Sequence, residues 1–380
     1  MNGYTPADFD RFQRRAGAAG ILALVACAAG AAGSPDQFFR SYLFAYLFWI
    51  GIALGCFAIV MLHHLVGGSW GVVIRRLLES GAGTLPLMAV LILPLLAGLP
   101  RLYVWARPEA VAGDELLRHK APYLNVPFFL GRLVFYFAVW IVLAHLLNKW
   151  SEEQDRTLSP QVKARLQLLS GPGLVLYGLT VTFASVDWVM SLEPHWFSTI
   201  YGILFMTGEA LATLAFVILA LLVLVRRKPM ADVLRPGHFH DLGNLMLAFV
   251  MLWAYVCFSQ FLIIWSGNLP EEIPWYLRRL DGGWAWVAVA LIVFHFALPF
   301  VLLLSRQNKQ RLEILAGIAG GVLLVRLVDL FWMVMPAFHP GGFRVHWMDL
   351  LMPVGIGGLW LAAFVWRLKR RPLLPAEGGY

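Results

Sequence analysis

Charge is scarce in this chain: Asp, Glu, Lys and Arg make up 14% of its 380 residues, whereas a soluble domain carries about a quarter. With 60% hydrophobic residues and a mean hydropathy of +0.71, a water-soluble fold is excluded. Cysteine is scarcer still. Cys27, Cys56 and Cys257 stand singly inside apolar stretches, without CxxC or CxxCH. That argues against covalently bound haem c and against a Cys-ligated iron–sulfur cluster in this chain, and the three read as small core residues. No nucleic-acid module is visible. The formal charge of +8 arises from basic residues in short loops, where membrane orientation accounts for them.

What remains is apolar runs bounded by charge, Pro and Gly. They lie near 16–33, 41–65, 84–105, 127–149, 166–190, 197–225, 243–267, 283–304, 312–335 and 347–366. At roughly 20 apolar residues per span, this predicts an all-α polytopic membrane protein of about ten helices, with no sizeable extramembrane domain. The charged start (Asp8, Asp10, Arg11, Arg14, Arg15) before an Ala/Gly-rich stretch is like a signal peptide. With nine spans behind it, we read it as an uncleaved first helix. Twenty Lys and Arg fall on the N-terminal side of the spans and eight on the other, which predicts cytoplasmic N- and C-termini.

The second and sixth spans align without gaps, Ser41 to Val60 on Ser198 to Val217, with Leu47/Leu204, Gly51/Gly208 and Ala53/Ala210 among the matches. The same offset places the third span on the seventh and the fourth on the eighth. Val186-Asp187 with Pro194 is echoed by Val328-Asp329 with Pro336 at the same distance. We therefore expect a single membrane domain of two parallel four-helix repeats, about 41–190 and 197–335. The first and tenth helices are peripheral additions. Gly51, Gly55 and Gly208 suit close helix approach and carry no assigned chemistry.

Arg132, Asp187, Glu209, Arg326, Asp329 and Asp349 fall in spans, where each would cost at least ~2.5 kcal/mol facing lipid at mid-depth. They are expected to face the bundle interior or a wet cavity, together with His63, His64, His145 and His295. Ordered by depth, Arg132, Asp187, Gln260, Asp329 and Asp349 fall in the outer half, and Glu209, His295 and Arg326 near the middle. His63, His64 and His145 fall in the cytoplasmic half, so the set reads as a proton ladder. Glu209 sits about twelve residues, roughly 18 Å, along a helix from the outer face. It reads either as a relay in a hydrated cleft or as a structural acid bonded to a neighbouring helix. Arg326 and Asp329 share a helix face and can neutralise one another. Arg326 has no evident counterpart near Asp187, so Asp187 is expected to open toward Glu209. His63 and His64 point about 100° apart, fitting an interfacial role or a relay. A b-type haem between one of them and His145 is a rival reading.

The segments SYLFAYLFWIGIALG and MLHHLVGG, KAPYLNVPFFLGR at 120–132 and SLEPHWFSTIYG at 191–202 resemble those of the F subunit of bacterial alternative complex III. That subunit belongs to the polysulfide reductase, NrfD-like membrane family, and the resemblance covers essentially the whole chain. Lys120 to Arg132 is its most specific piece. There Pro122 and Pro127 break the backbone before the fourth span, and Arg132 enters on its first turns.

The resemblance implies a non-haem subunit of a quinol:electron acceptor (cytochrome c) oxidoreductase of the respiratory chain, not catalytic alone, in a bacterial inner membrane. It implies partners: a second NrfD-like membrane subunit, multihaem cytochrome c and iron–sulfur subunits, and small membrane subunits. Haem c and iron–sulfur clusters would belong to those partners, and the resemblance credits oxidation of menaquinol or another quinol to the second NrfD-like subunit more than to this one. The rival class is a secondary transporter, since parallel repeats and midplane carboxylates also describe transporters. Paired helix breaks would favour transport. Pro86, Pro94 and Pro100 in the third span are the nearest candidates, and the seventh lacks matching prolines.

Overall fold

A computed structural model describes residues 6–225 and 228–374 of the chain, which are helical without a strand among them. Among the described residues, ten helices are long and apolar enough to cross a membrane. They are α1 (Asp8–Ala31), α2 (Pro35–Val66), α3 (Ser69–Ala97), α4 (Val126–Thr157), α5 (Pro160–Leu192), α6 (Tyr201–Leu224), α7 (Pro236–Gly267), α8 (Trp284–Leu304), α9 (Leu312–Ala337) and α10 (Trp347–Leu368). The chain is an all-α, multi-pass membrane protein.

Local chemistry sets the ends. Pro stands in the first turn of α2, α4, α5 and α7, where its missing N–H has no intrahelical partner to lose. Before α4, the Asn125 side chain accepts from the Phe128 amide at 2.9 Å, a cap that fixes the helix start. Gly67, at φ 70°, stops α2 with a left-handed backbone that other residues rarely adopt.

The third span departs from expectation. It runs over 69–97 rather than 84–105, because Gly67 and Gly68 turn the chain at once and α3 starts at Ser69. Arg75, Arg76 and Glu79, which the sequence placed in a loop, are therefore buried inside a span. The helix is also interrupted at 83–84 and at Ile92, and a further short helix follows Gly98, so that Pro86, Pro94 and Pro100 each stand at the start of a new segment. Arg226 and Arg227, counted on the N-terminal side, lie outside the described residues, as do Met1 and Tyr380.

α2 is the central element, buried over 89% of its apolar window. It packs on α3, α5, α6, α9 and α10; α6 packs on α5, α7 and α9; α4 packs on α3 and α5; and α8 packs on α7 and α9. α1 runs antiparallel along α10, with Asp10 against Lys369 at one end and Gly30 beside Trp347 at the other. The crossing is close because a Cβ at Gly20 would come within 2.9 Å of the Gly355 carbonyl. Both described ends thus share one face, here the terminal face; the opposite one is the far face.

Candidate functional site

Near the far face, α4 and α5 are joined through Arg132 and Asp187. Arg132 Nε donates to Asp187 Oδ2 at 2.9 Å and Nη2 to Oδ1 at 2.8 Å, while the Tyr136 hydroxyl donates to Oδ2 at 2.9 Å. Arg132 Nη1 also donates to the Tyr123 carbonyl at 3.0 Å, and its Cζ lies 3.8 Å from the Tyr123 ring centroid. A bidentate fork of this kind is among the strongest side-chain pairings. The expected opening of Asp187 toward Glu209 is not what the geometry holds. Arg132 is the counterpart of Arg326 that the sequence concealed, since its partner is 55 residues away and no local spacing signals it.

Glu209 is buried in α6, about a third of the way from its far-face end, and Tyr177 of α5 donates to its Oε2 at 2.7 Å. It makes no ion pair among the described residues. Gly51 of α2 faces it, with room for a Cβ 3.4 Å from Glu209 Cγ, and at Gly55 a Cβ would come 2.5 Å from the Glu209 carbonyl. Small residues on α2 thus let α6 approach closely enough to enclose the carboxyl group. A narrow void beside it is walled by Val181, Ala184, Ser185 and Trp188 of α5 and by Leu47 and Phe205. It extends along α5 toward the turn that carries Asp187.

On the other side of α6, Arg326 and Asp329 form a buried ion pair within α9, and Trp253 of α7 donates to Asp329 Oδ2 at 3.2 Å. Gly208 is the reason Arg326 fits: any Cβ there would overlap the guanidinium group. His295 is wholly buried, its ring 4.2 Å from that of Trp253, and both ring nitrogens lack a hydrogen-bond partner. It lies on a π-helical turn, Ile292–Ala297, an irregularity that frequently accompanies functional positions.

The histidines near the terminal face divide. His63 is buried and His64 half-buried, their ring centroids 5.9 Å apart, and both line a cavity of about 860 Å³ with Arg75, Gln154 and Lys163. His145 is exposed on α4 and is absent from the walls of that cavity. The structure therefore does not bring His145 to His63 or His64 as an axial pair, and His145 does not face the interior as expected. The reason is helical phase: its neighbours Leu143, Ala144 and Leu147 take the buried side.

Asp349 and Gln260 are tied down by their surroundings. Asp349 accepts from the His346 amide at 2.8 Å as a cap of α10, and from Ser41 at 2.6 Å and Gln37 at 2.9 Å. Its place at the helix start gives it a structural role in place of a rung of the ladder. Gln260 accepts from Ser198 at 2.9 Å. The polar residues thus form separate clusters, joined by no continuous hydrogen-bonded chain among the described residues.

Two further clusters escaped the sequence reading. Glu79 on α3 accepts from Arg75 at 2.9 Å and Arg76 at 2.5 Å, and Ser151 of α4 bonds Arg75 at 2.7 Å. The Arg-Arg-x-x-Glu spacing inside a mostly apolar stretch was the available signal. At the far face, Glu193 receives Arg278 at 2.8 Å and Arg279 at 2.7 Å, linking two connections distant in sequence. No protein-family model matches the chain, and no curated protein matches it.

Proposed function

We propose that this chain is a non-haem membrane subunit of a quinol:electron acceptor (cytochrome c) oxidoreductase complex, contributing a proton pathway and a docking surface to partners that carry haem c and iron–sulfur clusters. The observation that carries the reading is Glu209: a carboxyl group buried within a span, bonded to a phenol and to no cation among the described residues. Tyr177 and Glu209 are two groups that can exchange a proton over 2.7 Å. The Arg326–Asp329 pair and His295 lie on the next helices, and the void along α5 supplies a direction toward the far face.

The resemblance supplies the partners and the quinol, and the two four-helix repeats fit the packing order. α2 meets α3 and α5 as α6 meets α7 and α9, and the two sets join through α2 and α6. On this reading the protein lies in a bacterial cytoplasmic membrane with both termini inside.

The transporter reading is favoured by one feature, the interruption of α3 at 83–84 and at Ile92. Its would-be counterpart α7 runs unbroken from Pro236 to Gly267. Alternating access in repeat-built transporters uses paired breaks, so the asymmetry supports the complex subunit. Affinity purification of the full chain from native membranes, with haem staining of the copurifying bands, tests this. Haem-staining partners at fixed stoichiometry are expected; a chain that purifies alone and moves a solute in vesicles would overturn the proposal.

A further inference from the structure

Where α3, α4 and α10 meet at the terminal face, Arg76, Arg367, Arg370 and Arg371 wall a cavity of about 310 Å³ with Glu79 and Glu152. The two acids are occupied. Glu79 holds Arg76 at 2.5 Å, with Arg371 at 3.7 Å, and Glu152 holds Arg371 at 3.2 Å. Arg76 also reaches Asp155, yet its buried Nε has no partner. Arg367 and Arg370 make no ion pair among the described residues. The basic excess of the cavity therefore sits on these two side chains.

Both are held in place before any ligand arrives. Arg370 lies over Trp366, its Cζ 3.4 Å from the ring centroid. Arg367 rests on Gly83 of α3, where a Cβ would come 2.6 Å from its Nη1. Stacking on one face leaves the N–H edges of a guanidinium group free for an oxyanion. The apolar span of α10 ends at Leu368, and the partly exposed Trp366 is the kind of residue that sits where hydrocarbon gives way to headgroups. Two arginine forks at that depth match phosphate oxygens in geometry and charge.

We propose that this cavity binds the phosphodiester headgroup of an anionic phospholipid. Basic pockets between membrane helices select such lipids. A choline headgroup would bring a further cation among four arginines, so a zwitterionic lipid with the same phosphate is disfavoured. Inorganic phosphate shares the recognised chemistry but lacks acyl chains to lie along α10.

The test is native mass spectrometry of the delipidated full chain in detergent, titrated separately with phosphatidylglycerol, phosphatidylcholine and inorganic phosphate. Saturable phosphatidylglycerol binding is expected, at least about tenfold tighter than phosphatidylcholine. R367Q/R370Q is expected to weaken it by about thirtyfold, two basic groups' worth. R370Q alone changes an exposed side chain that holds no ion pair, so it keeps the fold and is expected to weaken binding by several-fold. Arg118 is exposed toward the far face, and R118Q is expected to bind as the unaltered chain does. Equal binding of the two lipids, undiminished binding by R367Q/R370Q, or saturation by inorganic phosphate without lipid preference would overturn the assignment.

Discussion

Arg132 on α4 and Asp187 on α5 meet in a two-point ion pair, 2.9 and 2.8 Å long, closed on one side by the Tyr136 hydroxyl. Both partners are at least nine-tenths buried, so each depends on the other for its charge to be tolerated there. Removing one leaves an uncompensated buried charge, a change that costs about 3–5 kcal/mol, whereas removing both together costs much less. R132L and D187L are each expected to lower the thermal unfolding temperature in detergent, and R132L/D187L to lose less than the sum of the two. Strictly additive losses would show that the pair is not coupled.

At Gly208 a methyl group would overlap the Arg326 guanidinium, while at Gly51 it would meet only Glu209 Cγ at 3.4 Å, an ordinary contact. G208A is therefore expected to push Arg326 away from Asp329 and to destabilise the protein by about as much as breaking a buried pair. G51A is expected to be nearly neutral. Thermal unfolding of the two variants side by side checks the order, and an equal loss in both would contradict it.

How much of this was readable in advance follows from the physics of each signal. The ten spans were legible because a bilayer demands long apolar runs, and the Arg326–Asp329 pair because its members sit three residues apart on one helix. The start of α3 was not, since Arg75, Arg76 and Glu79 look like loop residues until their mutual pairing and Ser151 are known. His145 illustrates the same limit: residence in a span is visible in sequence, but its exposure depends on the helical phase that packing selects. Asp349 read as a buried acid and proved to be a cap, because the start of α10 at Trp347 fixes its role.

The short helix that follows Asp114 in the connection before α4 gives a pH-dependent expectation. The Leu117 amide, at 3.1 Å, lowers the Asp114 carboxyl below the usual carboxylate range, and His195 at 2.8 Å and the Leu116 amide act in the same direction against partial desolvation. A depressed folded-state value contributes stability above the ordinary carboxylate range and loses it as pH falls through the folded value. Protection of the Leu116 and Leu117 amides from exchange, relative to an unstructured chain at the same pH, is expected to persist from neutral pH down past pH ~4 and to be lost only in stronger acid. In D114N, loss of that protection is expected already at neutral pH. Protection in the unaltered chain that is lost as soon as an ordinary aspartate protonates would contradict the capped geometry.

The relay itself is tested at Tyr177 and Glu209. If the pair carries protons, both groups matter through their exchangeable hydrogen and much less through shape. Y177F keeps the ring against Phe57 and removes only the hydroxyl that donates to Glu209 at 2.7 Å. E209Q keeps the size and one acceptor but cannot release a proton at physiological pH. On the proposed reading of the chain as a subunit of a quinol-oxidising complex, each is expected to leave assembly with the proposed partners intact, since neither breaks an ion pair among the described residues. Each is also expected to reduce proton movement per electron in reconstituted vesicles, by about tenfold or more, as general acid–base groups contribute roughly 10²–10⁴-fold when they take part directly. Quinol oxidation by the proposed complex in detergent, where no gradient opposes it, should then fall less than the proton movement does. A structural acid would behave the other way, with E209Q harming assembly and any surviving complex remaining fully coupled. Vesicles of both variants with unaltered proton-to-electron ratios would remove Glu209 from the pathway and leave it as a buried tie between α5 and α6.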